Sequence, residues 1–301
     1  MRVTDQQTYQ LLLSNFQQVS RNLLTAQQQV STGKRVNTPS DDPEAFGRIV
    51  STKSSLSQTT QWLRNIDRGT SRLDMADSTL SQVSNLLSRV KELAVAAASG
   101  TSTANDRLTA ATEVRDIDRQ LVALANTQAD GQSIFAGTKT DIQPYTVTSG
   151  DTVTYSGNAE TQSIAVGQNE TIQVMIPGSQ IFGGPTTDIF GSIANLLAAL
   201  GSNNASGIQT GIGDMDQAIS QVANAQGQVG ALENRLGTTQ TALTDASTTL
   251  QAALSKDQDV DLATAITQLS QYQTTYQASA KALNTLFSTS LLNFLGTPTA
   301  S

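Results

Sequence analysis

The sequence predicts a mainly α-helical protein of long, coiled-coil-like helices with paired N- and C-termini and a small β insertion. Three observations carry this. Apolar residues recur at alternating three- and four-residue steps through most of the 301 residues. That rhythm lapses between Gly137 and Pro185, where glycine, threonine and short β-prone runs replace it. The two ends of the chain carry the same narrow apolar seam, so each needs a partner helix and the other end is the nearest candidate.

The first helix places Tyr9, Leu12, Phe16, Val19, Leu23, Ala26 and Val30 on its seam. It ends at Ser31-Thr32-Gly33-Lys34-Arg35, where Gly33 suits a helix stop and the two cations suit a helix C-terminus. A hinge from Asn37 to Glu44 contains Pro39 and Pro43. Asp42 before Pro43 reads as an N-cap followed by proline at the first helical position, with Glu44 in the first turn. The next helix, either very long or broken once, carries Trp62, Ile66, Gly69, Leu73, Ala76, Leu80, Val83, Leu87, Val90, Ala94 and Ala97. From Ala104 to Gln128 another helix carries Ala110, Val114, Ile117, Leu121 and Leu124.

Four strands follow at Tyr145–Val147, Val153–Tyr155, Ser163–Val166 and Thr171–Ile176, separated by turns at Ser149-Gly150-Asp151, Gly157-Asn158 and Gly167-Gln168-Asn169. They predict one small antiparallel sheet that leans on the helical body, because about 50 residues fold only marginally by themselves. A short helix from Asp188 to Leu200, capped by Asp188, leads into a loop over Gly201–Gly213. The helical rhythm then resumes from Met215 to Ala253. A last seam comprises Leu262, Ile266, Leu269, Tyr276, Ala280, Leu283 and Phe287, with a skip at Gln273. The expected domains are 1–38 with 256–301 (terminal helices), 39–137 with 188–255 (long-helix bundle) and 138–187 (β-rich).

Composition narrows the function. The balance of 18 basic and 25 acidic residues, without clustered Lys or Arg, disfavours nucleic acid as a partner. The chain has no histidine and no cysteine, which removes imidazole and thiol catalysis, the common zinc ligands and any disulfide framework. No enzyme activity, cofactor or metal is expected. Asp41, Asp42 and Glu44 read as capping groups rather than a metal or acid-base site, Trp62 as a residue packed between helices, and Gly183-Gly184 as a turn rather than a phosphate loop. The insertion and its flanks hold only Asp141, Asp151, Glu160, Glu170 and Asp188 as carboxylates. The first thirty residues lack a basic cluster leading into an apolar run, and no stretch is long and apolar enough for a membrane span.

The terminal seams lack the Glu and Lys flanks of ordinary soluble coiled coils. Between Asp5 and Lys34 the only charged residue is Arg21, and after Asp261 the only one is Lys281. Helices flanked by amides and hydroxyls can pack on several sides without burying a charge, which suits a crowded assembly. Alone, such ends gain little against their ordering entropy and are expected to be mobile before assembly. The competing reading is that the seams are edges of a monomeric bundle.

The stretch from Val30 to Pro43, Val-Ser-Thr-Gly-Lys-Arg-Val-Asn-Thr-Pro-Ser-Asp-Asp-Pro, resembles the N-terminal signature of the bacterial flagellin superfamily. Its Pro-Ser-Asp-Asp-Pro-Glu-Ala ending is similar to the hook-associated, hook-filament junction branch rather than to flagellins proper. Gly131–Thr138 and the end of the chain, Tyr276–Lys281 and Ser290–Leu295, resemble the same branch. The resemblance implies an elongated rod with the termini lining a narrow channel, long helices in the middle and an outer antiparallel β domain. It implies a structural subunit in a ring of identical copies, joining the first hook-associated protein to flagellin. It also implies a chain delivered by an export chaperone and the flagellar type III export apparatus to the extracellular flagellum, without a cleaved signal peptide. The Gly296–Ser301 tail departs from the family and is expected to be disordered. The alternatives are a flagellin filament subunit, and a surface-binding adhesin using the β domain.

Overall fold

The computed structural model describes residues 2–148, 152–183 and 188–295, with side chains left aside for 2–6 and 286–295. The Gly296–Ser301 tail, the Ser149-Gly150-Asp151 turn, Gly184 and the Phe287 side chain therefore lie outside the described residues. Among the described residues the elements run α1 (Arg2–Thr32), α2 (Pro43–Ala98), α3 (Ala104–Ala125), β1 (Gln128–Ala129), β2 (Gln132–Ser133), β3 (Tyr145–Thr148), β4 (Thr152–Tyr155), β5 (Ser163–Ala165), β6 (Thr171–Gln173), α4 (Gly178–Ile181), α5 (Ile189–Gly201), α6 (Ala205–Gln258) and α7 (Leu262–Leu295). The chain divides into two compact units, residues 1–58 with 247–301 and residues 59–246, and α2 and α6 contribute to both.

In the unit spanning 59–246 the three-four stripe is the core. Ile66, Leu73, Leu80, Val83, Leu87 and Val90 of α2 are buried with Val114 and Leu121 of α3 and Met215, Val222, Val229 and Leu236 of α6. Helix α2 is continuous over 56 residues, with no break. Trp62 is half-buried. Thr103 and Asp106 form a reciprocal capping box at the start of α3, satisfying two of its free N–H groups. The buried Arg107 donates from Nε to Ala97 O at 2.9 Å and from Nη1 to Asn203 Oδ1, tying the end of α2 to the α5–α6 connection.

The β insertion departs from the single expected sheet. β3 pairs only with β4 and β5 only with β6, giving two separate antiparallel hairpins, while β1 and β2 form a third small one. The strands are two to four residues long, and the inner faces of β3 to β6 meet helices instead of a second sheet. Asn126, just beyond α3, donates to Tyr145 O at 2.7 Å and accepts from Tyr145 N at 2.9 Å, so one side-chain amide takes the place of a neighbouring strand. Tyr145 then packs its ring against Tyr155, Phe182 and Phe190. Ile134, Phe135 and Ala136 of the Gly131–Thr138 motif are buried at the base of this cluster.

Two expectations need correction. The loop expected over Gly201–Gly213 is only Ser202–Asn204, and α6 begins at Ala205. Gly207 and Gly211 lie inside α6 because α5 packs against it too closely for side chains. A Cβ at Gly211 would stand 2.8 Å from Leu196 Cδ1, and one at Gly207 would stand 2.9 Å from Ala199 Cβ. Asp188 is the residue before α5, yet its carboxylate makes no capping hydrogen bond.

Candidate functional site

Among the described residues no group of three or more His, Cys, Asp and Glu side chains could hold a metal ion. No described helix is long and apolar enough to cross a membrane. The site of interest is the terminal helix pair and the root from which it springs, all within the unit formed by residues 1–58 and 247–301.

Helices α1 and α7 pack together, with the Phe16 and Tyr276 rings 5.0 Å apart. On α1, Ala26 is buried and Leu12, Phe16, Val19, Leu23 and Val30 are half-buried, whereas Tyr9 is exposed. On α7, Leu283 is buried and Leu269, Tyr276 and Ala280 are half-buried. Leu262 and Ile266 do not join this seam. They are 49% and 54% exposed, and the buried position at that end of α7 is Ala265. Tyr272, half-buried, fills the place left by the apparent skip at Gln273. The pair still presents Leu11, Leu13 and Leu24 of α1 to solvent. An uncharged helix with apolar side chains beside its occupied seam has faces left for further neighbours.

The root is built by residues 33–48 and 257–261. Gly33, at φ +68°, ends α1 and donates to Gln29 O at 2.8 Å. The chain then runs antiparallel to the α6–α7 connection. Lys34 bridges Asp259, Val260 N–H donates to Gly33 O at 3.0 Å, and Arg35 N–H donates to Gln258 O at 2.7 Å. Pro39 is exposed in the turn that follows. Asp41 Oδ2 accepts from the N–H groups of Asn37 and Thr38, at 2.9 and 2.8 Å. Pro43 opens α2, and Asp42 Oδ1 accepts from Ala45 N–H at 3.0 Å, which satisfies an orphan donor of the first turn. Val36, Ala45 and Ile49, with Phe46 and Leu254 beside them, form a small separate apolar core.

Arginines knit this root. Arg35 Nη1 meets Asp42 Oδ2 at 3.1 Å, and its Nη2 donates to Asp257 O at 2.9 Å. Arg48 grips the Asp257 carboxylate with Nη2 at 3.0 Å and Nε at 3.2 Å, and its Nη1 meets Glu44 at 2.8 Å. Donated hydrogen bonds hold these carboxylates ionised. The Ala45 N–H, then Arg35, pulls the Asp42 carboxyl below its ordinary range, and Arg48 does the same for Asp257. The Thr38 and Asn37 N–H groups lower Asp41, and Asp257 raises Arg48 in turn. At the start of α7, Asp261 accepts from Thr264 Oγ1 at 2.7 Å and from Ala263 N–H at 3.1 Å, which lowers its carboxyl as well.

Sequence reasoning misses Arg48, Asp257 and Asp261, and it treats Arg35 as a cation at a helix end. The available signal is the crowding of charges into 34–48 and 256–261 beside stretches that hold almost none.

The family model described as the bacterial flagellin N-terminal helical region matches residues 3–140, and that described as the C-terminal helical region matches residues 212–295. Among curated relatives, flagellar hook-associated protein 3 of Salmonella typhimurium is 32% identical over 62% of this chain and 59% of its own length. Flagellar hook-associated protein 3 of Escherichia coli is 27% identical over 97% of this chain and 98% of its own. A solved structure described as a putative flagellar hook-associated protein from Vibrio parahaemolyticus is similar in fold, with a TM-score of 0.67, 22% identity, and coverage of 73% of this chain and 100% of that one.

Proposed function

The chain belongs to the bacterial flagellin family, and from that premise we propose that it is a non-enzymatic structural subunit of the flagellum that joins the hook to the filament. The observation that carries this reading is the near full-length likeness to a flagellar hook-associated protein 3, taken with a terminal helix pair whose outer faces are almost uncharged and expose Leu11, Leu13, Leu24, Leu262 and Ile266 among amides and hydroxyls. Such faces favour burial among copies over exposure to water. In this role the partners are a ring of identical subunits, the first hook-associated protein on one side and flagellin on the other. Before assembly the chain is handled by an export chaperone and the type III export apparatus, which delivers it to the extracellular flagellum. The absence of cysteine suits a chain threaded unfolded through a narrow tube, since no disulfide can form on the way.

Electron microscopy of a strain lacking the gene tests the proposal. Cells bearing hooks without filaments, with flagellin shed into the medium, are the expected result. Filaments of normal number and length would overturn it, and intact hooks with filaments lost through lack of their main protein would point to a filament subunit instead.

A further inference from the structure

Helices α1 and α7 lie at opposite ends of the sequence and no turn joins them, so connectivity alone leaves open how far along one the other lies. The seam leaves it open too. Coiled-coil register is specified by a polar seam residue or by flanking charge pairs. The only charges within 6–33 and 262–301 are Arg21 and Lys281, two cations that cannot pair. A slide of one heptad, about 10 Å, would exchange the Phe16–Tyr276 contact for Phe16 against Leu269 or Leu283, which are also apolar seam positions.

The root differs in being specific to particular side chains. Its antiparallel bridge between Lys34 and Asp259 is made by main-chain groups, which any neighbouring residue could offer after a slip. Asp257 is held through two different groups, its carbonyl by Arg35 and its carboxylate by Arg48; the carbonyl is again a main-chain group, so the carboxylate is the one that distinguishes Asp257 from its neighbours. A planar guanidinium engaging a carboxylate through two nitrogens tolerates little displacement. We propose that Asp257, held by Arg35 and Arg48, is the positioning residue that sets the register of the terminal helix pair. The apolar cluster of Val36, Ala45 and Ile49 packs within the same root. This goes beyond the junction role and holds whichever flagellar position the subunit takes.

The chain contains no cysteine, so introduced pairs report register directly. Full-length protein carrying Phe16→Cys with Tyr276→Cys, Leu269→Cys or Leu283→Cys is oxidised mildly, and the rates of disulfide formation are compared. With the natural root, the 16–276 pair should form at least about tenfold faster than either slipped pair, equivalent to about 1.4 kcal/mol of preference. Asp257→Ala or Arg48→Ala should reduce that ratio below about threefold, and Asp257→Glu, which keeps the carboxylate, should preserve it. An unchanged ratio in the two alanine variants, or no preference with the natural root, would overturn the proposal. Helix content and melting are read on the same samples. If the ratio collapses only where the long helices also unfold, the contact stabilises without positioning and the proposal fails.

Discussion

Replacing Leu24 by aspartate should leave the free chain folded and abolish its incorporation into the flagellum. In the single chain Leu24 projects from α1 away from α7 and is 62% exposed. Complete burial of a leucine stabilises by about 1.5–3 kcal/mol, so about 1–2 kcal/mol of that remains available for a neighbouring copy. Aspartate forfeits this contribution and adds the cost of burying an unpaired charge, several kcal/mol per ion even after relaxation. The combined change per copy is at least about 4 kcal/mol, roughly a thousandfold in the equilibrium for adding a subunit. The folded monomer loses only helix propensity, about half a kcal/mol at an exposed position. Leu23→Asp is the contrasting variant: Leu23 is half-buried in the α1–α7 seam, so its replacement should loosen the pair before any assembly. Hydrogen exchange of α1 amides in the purified chain separates the two, and filaments are counted on cells whose only copy of the gene is the variant. Normal filament numbers with Leu24→Asp would refute the reasoning, as would loss of α1 protection equal to that of Leu23→Asp.

Three other outcomes are expected. Gly211→Ala should destabilise the unit spanning 59–246 by about 1–2 kcal/mol, because overpacking against Leu196 exceeds the helix-propensity gain, whereas Gly227→Ala, with open space around it, should stabilise by up to about 1 kcal/mol; denaturant melts decide both signs. Arg107→Ala should cost about 2 kcal/mol in the same assay, since it removes the charged hydrogen bonds of a buried guanidinium to Ala97 O and to Asn203. Lowered carboxyls at Asp41, Asp42, Asp257 and Asp261 make the root's contribution complete above the ordinary carboxylate range and lost as pH falls through and below about 4, so amide exchange at 33–48 and 257–265 should rise there while the buried stretch 80–87 of α2 stays protected. Equal loss of protection at 80–87 would assign the acid response elsewhere.

Much of the helical core is legible in the sequence because burial there depends on a stripe. The residues from Ile66 to Ala97 that keep the three-four rhythm are largely the ones sealed from water, and the same holds from Met215 to Leu236. Glycine is where the reading fails. Gly207 and Gly211, among serines and asparagines, have the composition of a loop, and the alternative cause, close approach by Leu196 and Ala199 of α5, depends on a tertiary contact that local pattern does not contain. Strands β3 to β6 are legible for the opposite reason, since each is bounded by turn residues, whereas β1 and β2, two residues each, carry no such pattern. The division into separate hairpins is not legible, because that depends on which helix face each one meets.

The terminal helices show a further limit, and it bears on assembly. Periodicity identifies a side chain as apolar and roughly on a face without identifying the neighbour that covers it. Leu262 and Ile266 satisfy the three-four rhythm, yet α7 turns Ala265 inward at that end and leaves both exposed. Had the seam been a closed pair, two large exposed aliphatics one turn apart would be a solubility cost with no return. In a subunit destined for packing among copies, they are the residues that the intramolecular contact leaves unused. The same reasoning separates Leu23 from Leu24: adjacent leucines on one helix, the first occupied by α7 and the second available to something else. If Leu262→Asp and Ile266→Asp leave hydrogen exchange in α7 unchanged and still prevent incorporation, the outward face of the pair is the part that assembles. Retained incorporation would return these two residues to the ordinary population of exposed apolar side chains, and the apolar contact between copies would have to be sought away from the N-terminal turns of α7.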